Sequence, residues 1–241
     1  MHKTNYHSEL PARTNTETSA LTEKAIITRF VASESSYLRF KRTFDILFAS
    51  LVILLVLSWL LPIVAAWIKL GSKGPVFFWQ KRIGRNGKEF RCLKFRTMIG
   101  NEDADEKPAE ENDERITGAG KFLRPTNIDE LPQLFNVLAG DMSLIGPRPH
   151  MLSDCMRFSF VISSYKFRHL VKPGMTGLAQ IKGYHGPAKD YDDIANRYYW
   201  DAVYVRKAGI KLDMKIFAKT IQISVKTFFR LLFEGNKKLA R

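Results

Sequence analysis

Between Arg124 and Arg148 the chain sets two adjacent carboxylates, Asp129 and Glu130, between two arginines held in backbone punctuated by glycine and proline. The first part reads Leu123-Arg124-Pro125-Thr126-Asn127-Ile128-Asp129-Glu130-Leu131-Pro132-Gln133, the second Gly140-Asp141-Met142-Ser143-Leu144-Ile145-Gly146-Pro147-Arg148-Pro149. The planar fork of arginine pairs with two phosphate oxygens at once, and a carboxylate pair carrying a metal suits a nucleotide diphosphate. Asp129 through Val137 is predicted helical, with Pro132 in the first turn, where its missing N–H is tolerated. Both acids then fall at a helix N-terminus, where free N–H groups and the dipole keep them ionised and welcome a phosphate. Taken alone the pair also fits simple N-capping. Arg124 and the Gly146-Pro147-Arg148-Pro149 turn raise it above that.

These residues need a support, and the chain upstream supplies an unusual one. From Ile46 to Ile68 about 23 residues carry no charge, enough to cross a bilayer core. Arg39, Lys41 and Arg42 precede the run, and Lys69, Lys73, Lys81, Arg82 and Arg85 follow it. Positive flanks mark the cytoplasmic side, so both ends ask to be inside. Pro62 lies within the run, lacks an N–H and crowds the carbonyl of Ser58, whose hydroxyl is placed to compensate. A re-entrant helix–break–helix hairpin over residues 37–72 meets both observations, with a single span as the alternative. Asp45, three residues after Arg42, is a neutralised pair at the entry point or a plain cap-region salt bridge. A phosphate centre beside such an anchor points to chemistry on a lipid phosphate.

The formal net charge of +14 and a pI near 9.8 call for an anionic partner: nucleic acid, a membrane surface or a nucleotide. No interleaving of aromatic and basic residues of the RNA-binding kind is present, and the acidic elements would repel a nucleic acid backbone, so nucleic acid is set aside. Cys92 and Cys155 form no disulfide framework or zinc pattern and read as small, partly buried residues of a reducing compartment. Residues 1–36 read as a polar disordered tail without a secretory signal. Residues 73–241 read as a small cytosolic domain.

Within it, Val76-Phe77-Phe78-Trp79, the Gly84-Arg85-Asn86-Gly87 turn and Glu89 to Arg96 predict a β-hairpin. Lys94 and Arg96 on it line an anionic site or simply a basic strand face. Asn101 to Glu114 is acidic without calcium-loop periodicity and reads as a solvated loop. Lys172 to Gln180 is a Gly-rich turn that either holds a sugar or base or shapes a loop. Asp190 to Arg206 predicts an aromatic-rich helix. A last helix from about Leu212 puts Lys211, Lys215, Lys219, Lys226 and Arg230 on one arc, and Phe217, Ile221, Val225, Phe228 and Leu232 on the other. It lies on an anionic bilayer or covers a core with its basic face in solvent.

Lys41-Arg42-Thr43-Phe44-Asp45, the apolar run with Pro62, Gly74-Pro75-Val76-Phe77-Phe78, Lys94-Phe95-Arg96-Thr97-Met98, Asp129-Glu130-Leu131-Pro132-Gln133, Gly146-Pro147-Arg148-Pro149 and Lys172-Pro173-Gly174-Met175-Thr176-Gly177 follow one another in that order. The series resembles the bacterial sugar transferase family, monotopic polyprenyl-phosphate phosphoglycosyl transferases, in its short form without a large N-terminal membrane domain. The resemblance implies an α+β, mainly helical fold at the cytoplasmic face of a bacterial inner membrane. It implies transfer of a sugar-1-phosphate from a nucleotide diphosphate sugar, expected to be a UDP-sugar, to polyprenyl phosphate. Such a step initiates exopolysaccharide, capsule or O-antigen synthesis. Asp129 would be the nucleophile, Glu130 would hold Mg²⁺, Arg148 would bind the acceptor phosphate, and Arg124 would support the same centre. Pro125 and Asn127 depart from the family pattern without removing a required group, and Lys182-Gly183-Tyr184-His185-Gly186 departs where sugar or base selectivity could differ. A membrane-anchored non-catalytic scaffold or anion-binding protein is the alternative function.

Overall fold

The computed structural model describes residues 36–99, 113–186, 188 and 190–238, with backbone alone for residues 231–232 and 234–238. The expectations for the tail before Ser36 and for the acidic residues 101–112 lie outside them.

Helix α1 (Tyr37–Val52) continues through a π-helical segment, Ile53–Leu57, into α2 (Ser58–Gly71). Dihedrals stay helical throughout, so the expected chain break is a widened turn lying upstream of Pro62. Proline cannot donate to Ser58 carbonyl, and π-helical turns are a standard way for a helix to absorb such a defect. The Ser58 hydroxyl donates to Leu54 O at 2.6 Å and Trp59 Nε1 to Leu55 O at 2.8 Å, so these polar groups are satisfied within the helix itself. Asp45, Ala49, Leu57, Val64 and Ile68 are buried along one face, whereas Leu47, Leu51, Leu54, Leu55, Trp59, Ile63, Trp67 and Leu70 are exposed on the others.

The hairpin forms as predicted. Strand β1 (Phe77–Ile83) pairs antiparallel with β2 (Glu89–Phe95), Phe77 opposite Phe95 and Ile83 opposite Glu89. Asn86 and Gly87 take positive φ in the turn. Then come α3 (Gly118–Leu123), a 3₁₀ turn Ile128–Glu130, α4 (Gln133–Ala139), β3 (Ser143–Ile145) and α5 (Leu152–Val161). A second 3₁₀ stretch, Tyr165–Leu170, leads to β4 (Gly174–Thr176), α6 (Leu178–Ile181), α7 (Tyr191–Lys207) and α8 (Ile210–Lys238). The fold is mainly helical with two small two-stranded sheets, β3 lying parallel to β4.

The helix expected over Asp129–Val137 is divided at Pro132. Because Pro132 has no N–H for Ile128 carbonyl, the chain closes a tighter turn through Leu131 N to Ile128 O at 3.1 Å, and α4 begins only at Gln133. Nor do Arg42 and Asp45 form the expected pair. Arg42 donates to Val137 O (2.5 Å) and Leu138 O (2.8 Å), capping the carbonyl end of α4, where a cation also meets the helix dipole. Asp45 accepts Leu144 N at 3.0 Å and so pins β3 to α1. Lys41, Tyr37 and Tyr204 all donate to Asp213 of α8, tying the last helix to the start of the first.

One core gathers Ala49, Cys92, Val137, Leu144, Tyr204 and Ile216; another joins Leu57, Val64 and Ile68 of the long helix to Phe95, Ala119 and Leu123. Both halves of that helix therefore pack on the same domain. Both cysteines are buried and unpaired. From Ile221 to Arg230 nearly every side chain of α8 is exposed, apolar ones included, so this stretch covers no core. The Lys172–Gln180 segment forms β4 and the start of α6 and packs closely on the Gly146 backbone: a Cβ on Gly177 would lie 2.1 Å from Gly146 O, and one on Gly146 2.4 Å from Lys172 O. Gly177→Ala should accordingly lose about 2 kcal/mol or more of stability, read as a lowered thermal midpoint in detergent. An unchanged midpoint would mean that this backbone crossing is loose.

Candidate active site

A cavity of about 610 Å³ opens between the hairpin, the Asn127–Glu130 turn, the Arg148–Met151 segment and helices α5 and α7. All six site residues read from the sequence, Lys94, Arg96, Arg124, Asp129, Glu130 and Arg148, line it.

Local structure fixes them in turn. Asn127 takes a left-handed conformation (φ 57°), which Asn tolerates, and starts the 3₁₀ turn that carries both acids. Asn136, buried in α4, accepts Leu93 N at 2.9 Å and donates to Arg91 O at 2.7 Å, stitching the helix to β2. That registers Glu130 against Lys94, whose Nζ donates to Oε1 at 2.7 Å. Arg148 closes on the same carboxylate as a fork, at 2.6 Å to Oε1 and 3.0 Å to Oε2. Arg148 is itself held from behind: Arg168 Nη2 donates to its carbonyl at 2.5 Å, and Arg168 forms a buried ion pair with Asp201 at 2.9 Å.

The two acids are thereby driven apart. Burial alone would raise Glu130, but Arg148 and Lys94 outweigh it and hold its carboxyl well below the usual range. Asp129 is pushed the other way, up to about 7, by burial and then by the negative charge of Glu130, against the pull of Lys94, Arg124 and Arg148. No hydrogen bond from a described residue reaches its carboxylate, which faces the cavity. One acid is a fixed charge and its neighbour is an available one.

The other expectations divide. Arg124 reaches the cavity beside Thr97, with Nη1 3.5 Å from its hydroxyl. Arg96 is mainly a clamp, donating to Pro75 O, Lys73 O and Ser72 O at 2.6, 2.5 and 2.9 Å and so fastening the end of α2 to the hairpin. Lys41, Arg42 and Asp45 lie elsewhere, at a separate recess of about 210 Å³. Sequence reasoning missed Arg82, His150, Arg157 and Arg197, which also line the main cavity. His150 directly follows the Gly146–Pro149 motif and was within reach; Arg157 and Arg197 sit on helices with no local signal. His185, in the departing Lys182–Gly186 segment, is at the cavity too.

As for a metal, no group of three or more His, Cys, Asp or Glu side chains is gathered among the described residues. Mg²⁺ commonly takes only one or two carboxylates, completing its shell with waters and substrate phosphates. Asp129 is unbonded, and Glu130 keeps acceptor capacity beyond its bonds to Lys94 and Arg148. The pair fits Mg²⁺ in that manner.

The family of bacterial sugar transferases matches residues 36–227. This chain belongs to that family. It is 46% identical over 183 residues to a UDP-glucose:undecaprenyl-phosphate glucose-1-phosphate transferase of Klebsiella pneumoniae, covering 76% of this chain and 39% of the relative. A UDP-N-acetylgalactosamine-undecaprenyl-phosphate N-acetylgalactosaminephosphotransferase of Aeromonas hydrophila is 43% identical over 187 residues, 77% of this chain and 44% of its own. The exopolysaccharide production protein PSS of Rhizobium leguminosarum bv. phaseoli is 45% identical over 186 residues, 75% of this chain and 92% of its own. The chain thus spans about two fifths of the length of the first of these bacterial sugar transferase relatives.

The divided acids give a stability signature. A raised native carboxyl pKa stabilises below the ordinary value of 3.8, and that stabilisation fades as pH rises through about 7. Asp129→Asn should therefore melt higher than the unsubstituted protein at pH 8, by about 2–4 °C per kcal/mol of relieved repulsion, with the gap shrinking at pH 5. Glu130→Gln, which strands two cations, should cost about 3–5 kcal/mol at both pH values. Equal melting of all three proteins at pH 8 would remove the electrostatic account of the site.

Proposed function

We propose that this chain transfers a sugar-1-phosphate from a nucleoside diphosphate sugar to polyprenyl phosphate through a covalent intermediate on Asp129. The observation that carries the reading is the division of the acids: an unbonded Asp129 beside a Glu130 whose charge Lys94 and Arg148 compensate. In the first step an Asp129 oxygen attacks the sugar-bearing phosphorus. The bridging P–O bond breaks, and its electrons leave with the nucleoside monophosphate. In the second, an oxygen of the lipid phosphate attacks the same phosphorus, the aspartyl O–P bond breaks, and the carboxylate is restored. Two steps keep two bulky anions from having to meet directly.

Arg148 and Arg124 would pair with phosphate oxygens, Arg148 loosening from Glu130 as it does so. Glu130 would hold Mg²⁺, which when bound lowers the diphosphate charge that repels an incoming carboxylate. Donor sugars named for the relatives, glucose and N-acetylgalactosamine on UDP, support a UDP-sugar and a role at the start of exopolysaccharide, capsule or O-antigen assembly.

Packing supports a location as well. A helix whose buried face meets the domain from Asp45 to Ile68 leaves no half free to cross a bilayer alone, yet its other faces are apolar. We place it within one leaflet as a re-entrant element, entering and leaving on the basic cytoplasmic side of a bacterial inner membrane. The exposed Ile221, Val225, Phe228 and Phe229 of α8, beside Lys219, Lys226 and Arg230, fit a helix lying on that surface.

Purified protein with Mg²⁺, undecaprenyl phosphate and a panel of UDP-sugars should release UMP only when the lipid is present. Asp129→Asn should lower that turnover by about 10³-fold or more while keeping the protein on membranes. kcat/KM for the donor should rise with pH and reach half its plateau near pH 7, where Asp129 loses its proton. UDP release in place of UMP, or near-normal turnover of Asp129→Asn, would overturn the mechanism.

A further inference from the structure

The cavity has two unlike ends, and strand β1 measures the distance between them. At one end, Phe77 and Arg96 meet Lys73, Gly74 and Pro75 beyond the C-terminus of the membrane-facing helix α2. Toward the other, Ile83 N donates to His150 O at 3.0 Å, and Gln80 Nε2 contacts Met151 Sδ at 3.2 Å, bringing the strand against the segment that leads into α5. Phe77 and Arg82 are about 16 Å apart at strand rise. The far end collects Arg82, Arg157 and Arg197; Asp154 lies 3.6 Å from Arg157, and Asp201, already paired with Arg168, acts on Arg197.

Two buried polar atoms of cavity-lining residues at that end lack a partner among the described residues: His150 Nε2 and Arg197 Nε. Nδ1 of His150 is engaged by the Tyr165 hydroxyl, and Arg197 Nη2 by Gly186 O. Unpaired buried groups of this kind are costly and mark places where a bound group is expected to complete the bonding. Excess guanidinium charge with unspent hydrogen-bonding capacity suits a phosphate joined to a polar body.

We propose that this α5–α7 end binds the nucleoside monophosphate portion of the donor, with Arg157 and Arg197 on its phosphate and His150 Nε2 bonding to the same portion. The lipid phosphate enters past Lys73–Pro75 at the opposite end. This inference rests on the phosphoglycosyl-transfer reading and deepens it by giving the cavity a direction. An in-line displacement at phosphorus needs its leaving group on the side away from the attacking carboxylate. A donor arriving from water and an acceptor held in a membrane also avoid each other's path. Neither Arg157 nor Arg197 is part of the Asp129–Glu130–Arg148 machinery.

The test is direct binding of UMP, without lipid, to the full chain in detergent by calorimetry. The unsubstituted protein should bind, Arg157→Gln and Arg197→Gln should each weaken binding by about tenfold, and Lys73→Gln should leave it unchanged. Arg157 is exposed on α5, so its variant folds even if the Arg197 variant does not. No binding of UMP at millimolar concentration, unaltered binding by Arg157→Gln, or loss confined to Lys73→Gln would each overturn the assignment. Lipid-dependent UMP release by the unsubstituted protein, measured in parallel, reports on the transfer reading itself. Its absence with the binding pattern intact would leave a nucleotide site and remove the transferase.

Discussion

Burying the carboxylate of Glu130 is the constraint on which the rest of the molecule depends. An uncompensated charge at that depth would be prohibitively costly, so two cations must arrive from separate parts of the chain with hydrogen-bond accuracy. Lys94 comes from β2 and Arg148 from the loop after β3. Asn136 holds β2 against α4, and Arg168 with Asp201 holds the Arg148 backbone. Arg96 ties the hairpin to the end of α2. Satisfying one carboxylate thus recruits most of the fold. The consequence is electrostatic: with Glu130 compensated and still negative, burial and then the charge of Glu130 raise the adjacent Asp129, whose carboxylate accepts no hydrogen bond from the described residues.

The same economy governs the long apolar helix. Exposed and apolar on its outer faces, it is also one wall of the core, through Ala49 on one side of the π segment and Leu57, Val64 and Ile68 at and beyond it. Its first basic residues act as fasteners: Arg42 ends α4 and Lys41 meets Asp213 of α8. The basic residues that flank the apolar run serve tertiary structure here. The residues just beyond the end of α2, Lys73 to Pro75, line the same cavity as Asp129, so the long apolar helix and the acid pair are joined through one continuous wall.

Much of this was legible in the residues. The Gly84–Gly87 turn between alternating runs fixed the hairpin, and the six phosphate-centre candidates meet at one cavity because their motifs are the ones that make it. The division of the 129–137 helix was foreseeable from Pro132, which forbids a bond to Ile128 carbonyl. Three-residue spacing suggested a pair between Arg42 and Asp45, but tertiary acceptors at the end of α4 and in β3 were better partners for each. Local spacing carries no information about such distant groups. Arg157 and Arg197 were invisible for the same reason: an arginine on a helix has no signature in sequence until another element turns toward it. Arg96 was read as a phosphate ligand because charge was legible and the carbonyls of residues 72–75 were not.

The central claim is that Asp129 becomes covalently phosphorylated with the sugar attached. Intact-mass and peptide mass spectrometry of the protein quenched after incubation with Mg²⁺ and an active UDP-sugar, but no lipid phosphate, tests it most directly. The account predicts an added sugar phosphate on the peptide containing Asp129, discharged when undecaprenyl phosphate is supplied. Full turnover with no adduct under any quench, or an adduct on another residue, would contradict it.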